Sequence, residues 1–475
     1  MMMTEPPERI PEVDELGAVH LIGVGGRGMS GIARILALRG VTVTGSDAKE
    51  SAATTALQAV GVPCFIGHDA AHVGAADTVV VSSAIPESNP ELVAARERGL
   101  RVLPRTVALV SLMRGYRSVA VAGTHGKTTT TSMLTVALQH CGLDPSFAVG
   151  GNLVSSGANA HHGTGEVFVA ETDESDGSFV AFEPDVAVVT NIDYDHVDQW
   201  DDPGAYVDSF DMFAERVADD GVLVVCQDDA RAAALGDRAA RRGLRVRRYG
   251  EHRDADVRVE RVVGRGLSTG VQVVVNGRRL PAMTLGVPGH HNALNAVGAL
   301  TAGLALGVPE RALVQGLESF RGTLRRFELK GEADGVRVFD DFAHHPTELR
   351  EALRTAREVA AGGRVVVVFQ SQLYSRTQAF AEQFGAALGL ADAVVVMDVF
   401  GSRESPVPGV TGALIADAVP LPEGAVHFVP SWLAVPPAVA ALARPGDLVL
   451  TAGSGDVTLI GPEVLEVLRQ RSESG

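Results

Sequence analysis

The segment "SVAVAGTHGKTTTTSML", residues 118–134, limits the fold more than any other stretch of the chain. An apolar run stops at a glycine-bounded loop, and a run suited to a helix begins at once. In a parallel sheet a buried strand hands the chain to a helix lying on the sheet face, and this order of residues fits that unit. The same grammar of apolar run, glycine-rich or acidic turn and amphipathic helix recurs in three stretches. "AVHLIGVGGRGMSGIARILALRGVTVTGSD" opens the first, with strands predicted at 18–22 and 41–44 and a helix at 30–39. "DTVVVSSAIP" adds a strand and loop, and "NPELVAARERG" a helix. The second stretch offers strands in "SVAVAG", "EVFVAET", "DVAVVTN" and "GVLVVC". Residues 256–287 then change to strand-type runs with an Asn276-Gly277 hairpin signal, which predicts a small antiparallel flap. The third stretch opens at "FRGTLRRFE", with strands in "VRVFDD", "RVVVVF", "AVVVMDVF" and "DLVLTAG". Residues 365–369 are apolar throughout, which predicts burial on both faces. The predicted class is α/β in three domains. A Rossmann-like N-terminal domain spans 1–113, a P-loop ATPase-type central domain with the flap spans 114–322, and a Rossmann-like C-terminal domain spans 323–475.

Composition narrows the partners. A diffuse formal net charge of −17 disfavours nucleic acid and anionic membranes, which demand clustered cations. Cys64, Cys141 and Cys226 lack metal spacing and fit a reducing cytosol. The opening "MMMTEPPERIPEVDEL" has no apolar core of a secretory signal. The apolar run 293–308 is short for a membrane span and rich in small residues, so it reads as a buried helix. A cytoplasmic location without membrane insertion follows. The last residues, "RQRSESG", are expected to fray.

Four places can carry chemistry. "GVGGRG" puts Gly23, Gly25 and Gly28 between a strand and a helix, with Asp47 at the end of the next strand. That pattern suits a diphosphate at helix N–H groups, whether of a nicotinamide cofactor or of another nucleotide, and it also suits a tight turn with no ligand. "AGTHGKTTTT" is a phosphate cradle: Lys127 faces β- and γ-phosphates and Thr128 can ligate Mg²⁺. The usual form wants glycine five residues before Gly126, where Val121 stands. Lys127 is one of only three lysines, with Lys49 and Lys330. Two acidic turns follow strands of the same domain. One carries Glu171, Asp173, Glu174 and Asp176; the other carries Asp193, Asp195, His196 and Asp198. A carboxylate and an imidazole there can complete one or two Mg²⁺ sites, and most of the acids must be bystanders. "DDFAHHPTE" holds Asp340, Asp341, His344 and His345 either as a metal site or as a helix entry with Pro346 first and Thr347 as cap. Arg325 and Arg326 at the domain joint suit a transferring phosphate or a plain surface pair.

Taken together, "GVGGRGMSGIA", "AGTHGKTTTT", "ETDESDGSF", "TNIDYDHVD", "PGHHNALNA", "RRFE", "DDFAHHPTE" and "YSRT" resemble the Mur ligases, over roughly residues 18–460. The resemblance implies ATP-dependent joining of L-alanine to the lactyl carboxylate of UDP-N-acetylmuramate through an acyl phosphate, with ATP and Mg²⁺ as cofactors and a monomer or homodimer as the working unit. It moves the first glycine loop from NAD to a UDP diphosphate, with Gly25, Gly26, Gly28, Met29, Ser30, Asp47, Ser82 and Ser83 near the UDP-sugar. It implies that Gly123, Thr124, His125, Gly126, Lys127, Thr128 and Thr129 hold ATP phosphates. His291 and Asn292 would touch adenine, and Arg326 and Asp341 would reach ATP from the joint and the last domain. Thr128, Glu171 and His196 would bind metal, while His345 and Arg376 would border the amino acid. Lys127, His196, Arg326, His345 and Arg376 are the implied catalytic set. The chain departs from the family pattern at Ser371-Gln372, where Pro-His is usual, at Leu324 and at Ser454. A relative that ligates a recycled peptide to the same sugar, and a paralogue that binds both nucleotides without ligating, stay open as alternatives.

Overall fold

Apolar runs too uniform to face water become the inner strands of three sheets. In the computed structural model, which describes residues 9–200 and 202–474, Val186–Val189, Val365–Gln370 and Leu448–Gly453 are buried along their whole length. The residues opening the chain, on which the absence of a signal was read, lie in part outside the described residues.

The first sheet is parallel, in the spatial order Cys64–Ile66, Val43–Asp47, Val19–Ile22, Thr78–Val81, Arg101–Pro104. Strand order reverses on either side of Val19–Ile22, and at such a switch point the loops part to leave a crevice at the carboxyl edge. The helix Arg27–Leu38 starts there, three residues earlier than the sequence reading placed it. Behind this sheet lies a buried polar knot. Glu91, fully buried, accepts from Ser46 Oγ at 2.5 Å and Asp69 N at 3.2 Å. Its oxygens also lie 3.1–3.4 Å from the imidazoles of His20, His68 and His72. Burial alone would raise its pKa, but the bonds from His20, Ser46 and His72 prevail and bring it down to about 2.

The central sheet has eleven strands. Its parallel heart runs Arg245–Gly250, Val222–Cys226, Val186–Val189, Arg117–Ala122, Val167–Glu171, Ser146–Ala148. The segment expected as a small antiparallel flap is antiparallel, and it continues this sheet. Val257–Arg265 joins Arg245–Gly250 in parallel and then pairs antiparallel with Ser268–Val275. The Asn276-Gly277 turn is as predicted and joins Ser268–Val275 to Arg278–Arg279, with Asn276 at φ 49° and Gly277 at φ 79°, the two left-handed residues that a two-residue hairpin requires. The small-residue run forms the helix His290–Ala305, buried against the sheet, and no helix among the described residues is long and apolar enough to cross a membrane.

The third sheet runs Glu328–Ala333, Val336–Asp341, Leu448–Gly453, Val365–Gln370, Ala393–Val396, Val426–Phe428, parallel except for its first pair. The end expected to fray is helical through Ser474, because Arg471 is tied to Asp334 and to the carbonyls of Ala440 and Ala443.

Candidate active site

The phosphate-type loop is forced by its neighbours. Strand Arg117–Ala122 ends at Gly123, whose φ is 125° and where an added Cβ would stand 2.1 Å from Thr190 Oγ1. Gly126, at φ 81°, caps the helix Lys127–His140, and a Cβ there would meet Asn295 Oδ1 at 2.5 Å. Two side chains of the neighbouring strand end stitch the loop in place. Asn191 accepts from His125 N at 2.9 Å and donates to His125 O at 2.9 Å, and Thr190 Oγ1 donates to His125 O at 2.6 Å. Thr124 Oγ1 donates to Asp193 O at 2.8 Å. The helix therefore presents its first N–H groups, including those of Lys127, Thr128 and Thr129, with no acceptor inside the helix.

Lys127 Nζ donates to Gly123 O at 2.6 Å, Thr124 O at 3.0 Å and Glu174 Oε1 at 2.8 Å. Burial works against its charge, but Glu174, Glu171 and Asp173 outweigh burial and raise its pKa above the ordinary lysine value. Glu174 is itself buried; Oε1 also faces His196 Nε2 at 3.2 Å, and Oε2 has no hydrogen-bond partner among the described residues. Thr128 Oγ1 donates to Glu171 Oε1 at 2.8 Å, and Arg326 Nη2 lies 3.4 Å from the same hydroxyl. His196 sits at φ 55°, a strained backbone for a non-glycine residue. Burial lowers its pKa, yet Asp195 and Glu174 prevail and raise it. The structure thus brings Lys127, Thr128, Glu171, His196 and Arg326 around one cavity of about 330 Å³, which Gly28, Arg105, His344 and Glu348 also line.

A second cavity, of about 610 Å³, shares Gly126, Arg326 and Glu348 with the first and extends between the central and last domains. His125, Thr129, His291, Asn292 and Asp341 line it. His291 is partly buried, with its Nδ1 fully so and unpartnered among the described residues, and desolvation pushes its pKa down to about 4, so it presents a neutral ring. The amide of Asn292 is already committed, donating to Pro288 O at 2.7 Å and accepting from Asn295 Nδ2 at 3.3 Å. Asp341 accepts from Phe327 N at 2.7 Å and Ala343 N at 2.8 Å, while burial carries its pKa up to about 6.

The last domain reaches this wall through the helix Pro346–Ala360. Pro346 is its first residue, as expected, but the cap is His345 and not Thr347. His345 Nδ1 accepts from Thr347 N at 3.3 Å, which places the imidazole proton on Nε2, a buried atom with no partner. Thr347 Oγ1 donates instead to Asp193 Oδ2 at 2.8 Å. His125, Asp193 and His345 offer nitrogen and oxygen atoms within 4.8 Å of one another. Both nitrogens of His125 face carboxylates, Asp193 at 3.2 Å and Glu348 at 3.3 Å. Burial would lower its pKa, but these two partners push it up to about 9, so each ring nitrogen carries a proton directed at a carboxylate. Arg376 donates through Nη2 and Nε to Asp195 Oδ1, at 2.7 Å and 3.2 Å, both side chains being buried.

The UDP-side residues occupy the carboxyl edge of the first sheet. Gly26 caps the helix, Gly25 N donates to Asp47 Oδ2 at 2.9 Å, and Ser30 lies in the first turns. The Met29 side chain packs in the core, so it can offer a ligand only its backbone N–H. Ser82 and Ser83 follow strand Thr78–Val81 at that edge and line neither cavity. Gln372, the departure from the family pattern, is bridged to Phe400 and also lines neither.

Sequence reasoning missed Arg105, whose guanidinium lies over Gly28 and bonds Asp173 Oδ2 at 2.8 Å across the domain boundary. It also gave no role to Glu348, although that residue closes the "DDFAHHPTE" motif. Among the acidic turns it did not separate Glu174 and Asp195, the two buried members, from the others; only burial makes that distinction.

Comparison with known proteins agrees with this architecture. The chain matches the model of the Mur ligase family, catalytic domain, at residues 18–117, the Mur ligase middle domain at 121–303, and the Mur ligase, glutamate ligase domain at 325–455. The UDP-N-acetylmuramate–L-alanine ligase of Saccharopolyspora erythraea is 58% identical, covering 96% of this chain and 94% of that protein. That of Acidothermus cellulolyticus is 54% identical, over 97% and 96%. The crystal structure of the UDP-N-acetylmuramate-alanine ligase of Thermotoga maritima superposes with a TM-score of 0.78 at 30% identity, over 96% of this chain and 100% of that one. A murein peptide ligase from Psychrobacter arcticus follows at 0.70 and 25%, over 95% and 99%. With three family models along its length and relatives more than half identical across nearly all of it, the chain belongs to the Mur ligase family.

Proposed function

We propose that this protein uses ATP to join L-alanine to the lactyl carboxylate of UDP-N-acetylmuramate, a cytoplasmic step in making peptidoglycan precursors. The observation that carries the reading is the meeting of the glycine-loop helix of the first domain, the Lys127 loop of the second and the His345 helix of the third around two adjoining cavities. A reaction of three substrates needs such a meeting, since holding them together supplies much of the rate. The domains then divide near residues 113 and 322, the first holding the UDP-sugar, the second ATP and the third the amino acid.

Lys127 and Arg326 line the same cavity and would stabilise charge on the transferring phosphate as the sugar carboxylate attacks it and ADP leaves. Thr128, Glu171, Glu174 and His196 suit a divalent cation, because the orphaned Oε2 of Glu174 is a buried acceptor that only a cation or a donor can satisfy. Bound there, Mg²⁺ would neutralise phosphate charge. The alanine amine, having lost its proton, then attacks the acyl carbonyl, and inorganic phosphate leaves as the amide bond forms. His345 offers its Nε2–H to an oxygen of the incoming amino acid, and Arg376 stands beside it. The neutral ring of His291 and the apolar part of the larger cavity accommodate the adenine.

Phosphate release should require ATP, Mg²⁺, UDP-N-acetylmuramate and L-alanine together; release indifferent to alanine would sink the proposal. The likeness to the murein peptide ligase gives the second reading, in which a tripeptide replaces alanine. Supplying each acceptor alone separates the two.

A further inference from the structure

Each of three aspartates in the turn 193–198 grips the last domain. Asp193 accepts from Thr347, Asp195 from Arg376, and Asp198 from Arg403 Nε at 3.1 Å. Thr347 lines the larger cavity, whereas Arg376 and Arg403 line neither, and Arg403 alone of the three lies in a loop and not in a helix. The side chain of Asp198 is 7% exposed and that of Arg403 45%, so a carboxylate shielded from water, on a residue less buried as a whole than Glu174 or Asp195, meets a cation brought from the surface of another domain. Among the described residues, the donors found for that carboxylate are Arg403 and Gln199 Nε2, the latter 3.1 Å from Oδ2, and Oδ1 has none.

The next residue of the loop faces the other way. Glu404 accepts from Ser375 N at 3.0 Å and from Ser375 Oγ at 2.5 Å. Those groups belong to the first turn of helix Tyr374–Leu388, which carries Arg376 one residue on. Leu373 N donates to Phe400 O at 3.0 Å and Phe400 N to Ser371 O at 2.9 Å, so the loop and the entry to the helix move as one piece. Leu373 itself is held at φ 70°, a conformation that leucine adopts only under constraint.

We propose that residues 400–405 form a two-ended clasp, in which Arg403 fastens the last domain to the His196 turn while Glu404 fixes the helix entry that aims Arg376, making both positioning residues for amino-acid addition. This rests on the ligase reading above. The clasp makes closure and the aim of Arg376 a single event. It also gives a job to a segment that lines neither cavity.

The test uses the full chain and the variants Arg403→Gln, Arg403→Lys, Glu404→Ala and the Arg403→Gln/Glu404→Ala double, with Arg469→Gln as a surface control. Losing one partly exposed ionic contact should raise KM for L-alanine about five- to tenfold and leave KM for the UDP-sugar unchanged. Arg403→Lys should recover most of the loss. The double variant should be no worse than the more severe single, because cutting either end opens the same clasp. Wild-type KM for L-alanine in Arg403→Gln, multiplying effects in the double, or an equal rise in both KM values would overturn the clasp. Small-angle scattering with a non-hydrolysable ATP analogue reads closure without turnover. There Arg403→Gln should stay more extended than wild type, and equal compaction would overturn the clasp even if the ligase reading failed on its own assay.

Discussion

Lys127 shows how one side chain can be prepared for its task. It is held by two carbonyls and Glu174 before any phosphate arrives, so its ammonium is fixed in place and charged. Lys127→Ala should leave UDP-sugar binding nearly intact and abolish acyl-phosphate formation; calorimetry with the UDP-sugar, beside trapping of the intermediate, checks both halves. Gly126→Ala should fail differently, since the added methyl meets Asn295 in a backbone conformation alanine resists. ATP affinity should fall at least tenfold while the sugar still binds, which nucleotide titration reads. Far from this site, Glu91 makes a pH prediction. Its folded pKa of about 2 lies below the ordinary 4.5, so its contribution to stability is present above pH 4.5 and lost as pH falls toward 2. Glu91→Gln should cost about 2–3 kcal/mol near neutrality, as expected for breaking a buried charged network, and progressively less below pH 4. Urea unfolding of the two proteins at pH 7 and pH 3 measures the narrowing gap.

Among elements, those with a strong local signal were readable in the sequence. The strand–glycine–helix units and the Asn276-Gly277 turn depend on neighbours in the chain, and they stand where the pattern put them. Joins between elements were not readable. Nothing local to residues 256–287 says that Val257 will pair in parallel with Tyr249 and so extend the central sheet. Likewise the cap at His345 follows from the pull of Asp193 on Thr347, a contact 154 residues apart in sequence. The same holds within the site: Lys127 and Thr128 were legible from their motif, whereas Arg105 was not, because its partner Asp173 comes from another sheet. Helix crossings are similarly hidden. Glu310–Glu318 lies so close to the helix of Lys127 that a Cβ on Gly316 would stand 2.6 Å from Ala137 Cα. Gly316→Val should therefore push the two helices apart, cost about 1–3 kcal/mol and weaken ATP binding from behind, as thermal shift with and without nucleotide would show.

Across the whole molecule, closure is written in the contacts of one acidic turn with the last domain. Removing the charge of Asp195 would leave Arg376 buried without its anion, a loss of about 3–5 kcal/mol that opening of the domains can relieve. Asp195→Asn should thus expand the particle in solution scattering and lose alanine-dependent turnover while still binding ATP. The third sheet carries a consequence of another kind. Its strand latest in sequence, Leu448–Gly453, lies between Val336–Asp341 and Val365–Gln370, in the middle of the sheet. A chain growing from the ribosome therefore displays two unjoined halves of that sheet, with bare strand edges, until residue 453 has emerged. The first two domains can settle early, but the third is assembled only as synthesis nears its end. A message cut short just before that strand would yield not a weakened ligase but a sticky one, and it is at this late moment that the nascent protein most needs protection.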